Sequence, residues 1–375
     1  MTNDESISVF FQSVGALFSY NLGLTSHLAA YRDTKITIGT RHLLLYVYGI
    51  GYVRYIKDLK IRLITFPTFV PLVQTRAYGT GVSKIIVRSS LFEKLMAKFD
   101  LLHLNDREYP YTKAAVKLQK PTIMTLHWTP SKIDEGVCTK VKAVVSPSET
   151  TARMTEEILG FRPIVIYHGV DETIFNTHLS KKEAREHLKL PYERKIIFWN
   201  GRLDSGKDPL TLVNAIPIVT KEIPDCLFVI KARTNRTHLL QSIKETVRRK
   251  GIEKNVRLIF GWDFITKMPY YYRSADIFVH TSLSEVCGLV PIEAMACGIP
   301  IIITNLSGVR GPVGDAGLFF EPKNSEDLGM NIVRLLSDEK LRNALRDKGL
   351  RRMNELGLTW KFAAKQYRDL YLSLL

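Results

Sequence analysis

The sequence predicts an α/β protein made of two doubly wound parallel-sheet domains. Three observations carry this. Strand-like apolar runs alternate with helix-like segments almost throughout the chain, the pattern of βα units. The length of 375 residues allows two domains with separate cores. The turn-rich stretch Tyr167-His-Gly-Val-Asp-Glu-Thr-Ile-Phe-Asn176 follows a strand and precedes a fresh βα series, as a domain seam does.

In the first domain the strand candidates are Ile7–Phe11, Ile61–Phe66, Leu101–Leu104, Thr122–Leu126, Ala143–Val145 and Ile164–Tyr167. In the second they are Lys195–Trp199, Leu227–Lys231, Val256–Phe260, Ile277–His280, Ile299–Thr304 and Leu318–Phe320. Helices are expected over Tyr111–Leu118, Thr151–Leu159, Lys181–Leu188, Leu210–Glu222, Leu239–Lys250 and Ser325–Leu336. Residues 337–375 read as helices broken near Gly357. Ligands of such sheets bind beyond the carboxyl ends of the strands, and the cleft between two domains is the natural site.

Composition narrows the classes. No apolar run reaches the roughly 18 residues of a membrane-spanning helix. The polar, acidic start Met-Thr-Asn-Asp-Glu-Ser is unlike a secretory signal, and four cysteines without paired spacing favour a reducing, cytoplasmic setting. The net charge of +16 allows nucleic acid, anionic lipid or an anionic substrate as partner. No nucleic-acid-binding signature accompanies the scattered cations, so nucleic acid is not expected.

The richest stretch is Ser282-Leu-Ser-Glu285-Val-Cys-Gly-Leu-Val-Pro-Ile-Glu293-Ala-Met-Ala-Cys-Gly298. Pro291 suits the first position of a short helix, and Gly298 suits the left-handed position past its end. The helix start would offer free N–H groups beside Gly288, a ready phosphate site, with Glu285 and Glu293 as acceptors for hydroxyls. Ligands with both phosphate and many hydroxyls are chiefly nucleotide sugars. Upstream, Trp199-Asn-Gly201-Arg202-Leu-Asp-Ser-Gly206-Lys207-Asp208-Pro209 places two cations on a loop at a strand's end. Asp208 would cap the next helix, with Pro209 at its first position. Arg202 as a fork and Lys207 as a point charge suit a diphosphate. The histidines inside apolar strands, His103 and His280, read as structural, and Tyr270-Tyr-Tyr272 reads as packing.

These motifs, in order, resemble the group 1 glycosyltransferases, the retaining family 4 enzymes: Gly201-Arg-Leu with Lys207, Tyr272-Arg-Ser-Ala-Asp276, and Glu285-x7-Glu293 with its Ala-Met-Ala-Cys-Gly tail. Leu101-Leu-His-Leu-Asn-Asp, Thr125-Leu-His127-Trp, Ser146-Pro-Ser-Glu and Tyr167-His-Gly-Val-Asp171 match more loosely. The resemblance implies a GT-B fold, two Rossmann-like domains facing across a cleft. Residues 1–171, with a returning terminal helix at about 360–375, would be the acceptor side. Residues 172–359 would bind the donor.

It further implies transfer of a hexose from a nucleotide-diphospho-sugar to a glycan, lipid-linked or small-molecule hydroxyl, with retention, no metal and no cofactor beyond the donor. Glu293 would hold the ribose and Glu285 the hexose. Arg202 and Lys207 would hold the diphosphate, and the backbone of Cys287, Gly288 and Leu289 would contact hexose and phosphate. The loop at Gly261 and Trp262 would face the base. His127 would stand near the reacting sugar, and Gly23 is the nearest candidate for the family's N-terminal glycine loop, ahead of Gly15. Cys287 replaces a usual Phe, and Lys231-Ala-Arg233 replaces usual glycines. The chain contains no Asp-x-Asp. Retention by same-face attack or through a covalent intermediate both remain open, the resemblance favouring the first. Other readings are a related phosphorylase or epimerase, and a basic adaptor without activity. The stretch from Arg41 to Arg62 mixes aromatics with cations and is a candidate for peripheral binding to the inner face of an anionic membrane.

Overall fold

A computed structural model describes residues 6–13, 18–40, 62–65, 94, 96–105, 115, 117–128, 130–132, 135–175, 178–232, 238–261, 263 and 265–375. Trp262, Gly15, Arg233 and positions 41–61 of the aromatic and basic stretch lie outside them. Among the described residues no helix is long and apolar enough to cross a membrane.

The chain forms two compact units, Met1–His168 with Trp360–Leu375, and Gly169–Thr359. The division falls between His168 and Gly169 rather than after Asp171. The reason is backbone pairing: Val170 donates to the Leu358 carbonyl at 3.2 Å and bridges Thr359.

The first unit holds a seven-stranded sheet with strands β1 (Ile7–Ser13), β2 (Thr34–Thr40), β3 (Arg62–Thr65), β4 (Leu101–Leu104), β5 (Thr122–Thr125), β6 (Ala143–Ser146) and β7 (Ile164–Val165). Their order is β3-β2-β1-β4-β5-β6-β7, every pair parallel. Strand β2 was not expected. Its sequence, Thr-Lys-Ile-Thr-Ile-Gly-Thr, alternates instead of running apolar, yet all seven positions pair with β1. The Phe18–Leu28 helix was not expected either. The terminal helix Trp360–Leu374 belongs to this unit and buries Trp360, Ala363, Ala364, Tyr367 and Tyr371. Arg368 pins it by pairing with Asp33 and covering the Tyr31 ring. Tyr371 and Thr125 hydrogen-bond the two nitrogens of His103, at 2.6 and 2.8 Å, so the structural reading of that histidine agrees with its place.

The second unit holds a six-stranded parallel sheet: β8 (Lys195–Gly201), β9 (Cys226–Ala232), β10 (Val256–Phe260), β11 (Ile277–His280), β12 (Ile301–Thr304) and β13 (Gly317–Phe320). The order is β10-β9-β8-β11-β12-β13. All seven residues of β9 are buried, as expected for a strand covered on both faces. Ile216, Phe228, Ile243, Ile332 and Leu335 lie in the core between this sheet and its helices. Local signals set the helix ends. Ser180 and Glu183 form a capping box, and Asp338 ends one helix while its carboxylate caps the next. Asp276 accepts from Ile196 N–H, Arg185 and Lys181, at 2.7, 2.9 and 2.8 Å, which fixes the start of β11 beside β8.

Strand order reverses direction between β8 and β11. The loops leaving their carboxyl ends, after Gly201 and after His280, are therefore neighbours at the place where such sheets bind ligands.

Candidate functional site

Those two loops are stitched together. Leu283 N–H donates to the Gly206 carbonyl at 2.8 Å, and the Thr281 hydroxyl donates to the Lys207 carbonyl at 2.7 Å. Trp199 Nε1 donates to Thr281 Oγ1 at 2.9 Å, tying the loop to the core beneath. Asp204 shapes the first loop by accepting from Lys207 N–H at 3.0 Å and from Arg202 Nε at 2.6 Å. Arg202 itself is 68% exposed, a guanidinium at the surface with one weak anchor. Asp208 precedes the Pro209–Glu222 helix, but it adopts φ +42° and its carboxylate takes the Thr211 hydroxyl rather than a backbone N–H.

Lys207 and Glu285 form an ion pair. Lys207 Nζ also reaches Ser282 Oγ at 3.3 Å, and His280 Nε2 reaches the same Glu285 oxygen at 3.0 Å. Burial acts to raise the Glu285 carboxyl, but the hydrogen bond from His280 and the Lys207 ammonium outweigh it and hold it at about 2. The backbone here admits no alternative at Gly308, where a Cβ would stand 1.7 Å from the Glu285 carbonyl oxygen. Gly288 has φ +71°, in the left-handed region.

The helix after Gly288 spans Leu289–Ala296. Pro291 is its third residue, not its first; the absent N–H still costs nothing, because the first four N–H groups of a helix lack internal partners. Gly298 follows the C-cap Cys297 with φ +66°, as expected of that position. Glu293 is the fifth residue of the helix, beyond the first turn, so the dipole gives little reason for a carboxylate there. It is 7% exposed and accepts from the Tyr272 hydroxyl at 2.6 Å. Burial pushes it up to about 7, with the Tyr272 bond pulling the other way.

At the end of β10, Gly261 has φ +120° and its carbonyl accepts from Lys231 Nζ at 3.0 Å. The same amine pairs with Asp263 at 2.8 Å and lies 5.0 Å from the Tyr271 ring centre. Lys231, standing where a glycine was expected, therefore fastens this loop.

The remaining two candidates lie in the first unit. Gly23 is inside the Phe18–Leu28 helix, not in a glycine loop. Its carbonyl accepts from Ser26 Oγ and is 2.8 Å from His27 Nδ1. A Cβ at Gly23 would stand 2.0 Å from the Trp360 indole nitrogen. Trp360 adjoins His168, which stacks on His127 at 5.2 Å between centres. His127 Nε2 meets Asn105 Oδ1 at 3.1 Å, and burial, then His168 and His103, hold its imidazole well below the ordinary range.

The structure thus brings Lys207 and Glu285 into contact, puts Arg202 on the same loop, and places Cys287, Gly288 and Leu289 between Glu285 and Glu293. Gly261 sits on a separate loop of that unit. His280 and Tyr272, read from the sequence as core residues, contact the two carboxylates directly. The available signal was positional: His280 is the last residue of a core strand at a site-bearing edge.

Residues 180–352 match the profile of the family described as glycosyl transferases group 1, and residues 36–174 that of glycosyltransferase family 4. Mannosylfructose-phosphate synthase of Agrobacterium fabrum is 30% identical over 182 residues, 47% of this chain and 40% of that protein. The lipopolysaccharide core biosynthesis mannosyltransferase LpsB of Rhizobium meliloti is 30% identical over 198 residues, 52% of each. The chain spans about half the length of the curated relatives it matches. Similar folds occur in a glycosyltransferase from Rickettsia africae (TM-score 0.79, 17% identity, 98% of both chains). They also occur in Anabaena HepE, solved with UDP and glucose (TM-score 0.79, 17% identity, 99% of this chain and 100% of that one).

Proposed function

The chain belongs to the group 1 glycosyltransferases, and we propose that it moves a hexose from a nucleotide-diphospho-sugar to an acceptor hydroxyl with retention and without a metal ion. The observation that carries this reading is the arrangement at the β8–β11 switch point: Lys207 against Glu285, with the enclosed Glu293 eight residues on, in the Leu289–Ala296 helix. Lys207 and Arg202 supply positive charge where the departing diphosphate gains negative charge, the place at which fixed charge accelerates most. Glu285 accepts from hexose hydroxyls, and Glu293 from the ribose diol. The N–H groups of Leu289 and its neighbours face the phosphate end. The loop at Gly261 and Asp263 borders the base.

In the reaction the bond from the anomeric carbon to the phosphate oxygen breaks, and the acceptor oxygen bonds to that carbon. In same-face attack the acceptor's proton passes to the departing phosphate oxygen. A neutral His127 is a hydrogen-bond partner for the reacting sugar, not a cation. The residues of the first unit would take a glycan, a lipid-linked sugar or a small molecule, and weak binding to an anionic membrane accords with a lipid-linked acceptor.

The test is a panel of UDP-, GDP- and ADP-linked glucose and mannose, assayed for hydrolysis and transfer with and without EDTA. Product anomers are read by NMR. Turnover of at least one donor, unchanged by EDTA, with the donor's anomeric configuration kept, is the expected result. No turnover and no nucleotide binding across the panel would remove the reading.

A further inference from the structure

We propose that His280 is a positioning residue of this site, holding Glu285 in place when Lys207 turns from it to the donor diphosphate. The inference rests on the donor-site reading above and concerns a residue that reading does not use.

Both partners of Glu285 meet one oxygen, Oε1: Lys207 Nζ and His280 Nε2. Among the described residues the second oxygen, Oε2, accepts no hydrogen bond, so it is the one left for a sugar hydroxyl. The ammonium that pairs with Oε1 is also the cation best placed for a phosphate. When it swings to the phosphate, Glu285 loses its ion pair in a place with little solvent. Without His280 the carboxylate would then have no partner, a strongly disfavoured state in which it would protonate or rotate. His280 prevents this because its donor stays. It is 3% exposed, ends a core strand, has its carbonyl bonded by Thr304 at 3.2 Å, and its ring lies 6.3 Å from that of Phe278. A flexible amine and a fixed imidazole on one oxygen form an exchangeable and a permanent restraint. A role limited to filling core space is served equally well by leucine, which lacks the N–H.

The charged and titratable groups meeting the Glu285 carboxylate are Lys207 from the first loop and His280 from β11. The Ser307–Val313 helix brings Gly308 against the Glu285 backbone, and Ser282 contributes a neutral hydroxyl to Lys207.

The experiment compares wild type, His280→Leu and His280→Gln in donor turnover, in binding of the nucleoside diphosphate product, and in pH profile. His280→Leu should lower kcat about 100-fold, because a carboxylate displaced by an ångström no longer meets the sugar. Product affinity should change by less than a factor of about three, because the nucleotide does not touch Glu285. The acid limb of kcat/KM should move up by about one pH unit as Glu285 loses a donor. His280→Gln, which keeps an amide N–H, should recover most of kcat and return the acid limb.

A second measurement does not depend on turnover: the titration of Glu285 by carbon-13 NMR of labelled glutamate, assigned with Glu285→Gln. It should rise in His280→Leu relative to wild type. An unchanged Glu285 titration, or equal loss of product binding and kcat in both variants, overturns the inference. A wild-type protein that binds no nucleotide sinks the donor-site reading instead, and the NMR titration still reads the His280 contact.

Discussion

The Tyr272 hydroxyl and the Glu293 carboxylate lie 2.6 Å apart in the interior of the second unit, the tyrosine fully buried and the glutamate nearly so. Burial raises Glu293 to about 7, so near neutral pH its side chain is a mixture of acid and carboxylate. A ribose diol donates two hydrogen bonds and selects the carboxylate. Nucleotide affinity should therefore rise about tenfold between pH 6 and pH 8, with proton release on binding near neutrality. Tyr272→Phe removes the bond that favours the carboxylate, and the midpoint should move to higher pH. Titration calorimetry in buffers of different ionisation enthalpy measures both; pH-independent affinity would contradict the assignment of Glu293 to the ribose.

The two carboxylates have opposite effects on stability. Glu293 is raised, so its contribution is full below about pH 4.5 and is lost as pH rises through about 7, on the order of 3 kcal/mol. Glu285 is depressed, so its contribution is present above the ordinary carboxylate range and is lost as pH falls toward 2. Glu293→Gln should therefore raise the Tm of the protein without nucleotide at pH 8 and change it little at pH 4, and it should weaken nucleotide binding at pH 8 but hardly at pH 4, where the wild-type side chain is already the neutral acid. Scanning calorimetry at the two pH values checks the sign.

Lys231 offers a separate test of the loop beyond β10. Its buried amine serves Asp263 and the Gly261 carbonyl together. Lys231→Met keeps the length and removes the charge, leaving Asp263 with the Tyr271 hydroxyl and the more distant Lys267. Removing one partner of an enclosed pair should cost roughly 3 kcal/mol. If this loop borders the base, as proposed, the change should also weaken nucleoside diphosphates more than free pyrophosphate. Denaturant melts and competition binding with the two ligands report these effects.

The strands of the second unit were legible because a parallel sheet covered on both faces needs unbroken apolar runs, and Ile277–His280 and Ile301–Thr304 are such runs. Thr34–Thr40 escaped notice because only two of its residues are aliphatic, and its strand character comes from pairing along β1. The carboxylates and cations proposed for the site stand out in the sequence by spacing and residue type, and the structure adds that Lys207 and Glu285 touch. Their other partners do not stand out. Tyr272 lies 21 positions from Glu293, and the place of His280 beside Glu285 depends on where a strand ends and how the next loop turns back. Gly23 was misread for a related reason: without the fold, a glycine that admits an indole cannot be told from one that frees a loop.

That last contact supports a prediction for the first unit. Gly23 and Trp360 hold the Phe18–Leu28 helix against the terminal helix, and the indole continues through His168 to His127. A methyl group at Gly23 would meet the indole at 2.0 Å, so Gly23→Ala forces the ring or the helix to move. Such overpacking should cost about 1–3 kcal/mol. Displacement of the indole should also disturb the His127 stack, and with it turnover, while leaving product nucleotide affinity in the second unit unchanged. Gly136→Ala is the control. It lies in the short Glu135–Cys138 helix with nothing within 4 Å of a new Cβ, so it should be neutral or stabilising by about 0.5 kcal/mol. Tryptophan fluorescence and hydrogen exchange over residues 360–374 distinguish the two variants; equal protection of the terminal helix in both would show that the contact does not hold it.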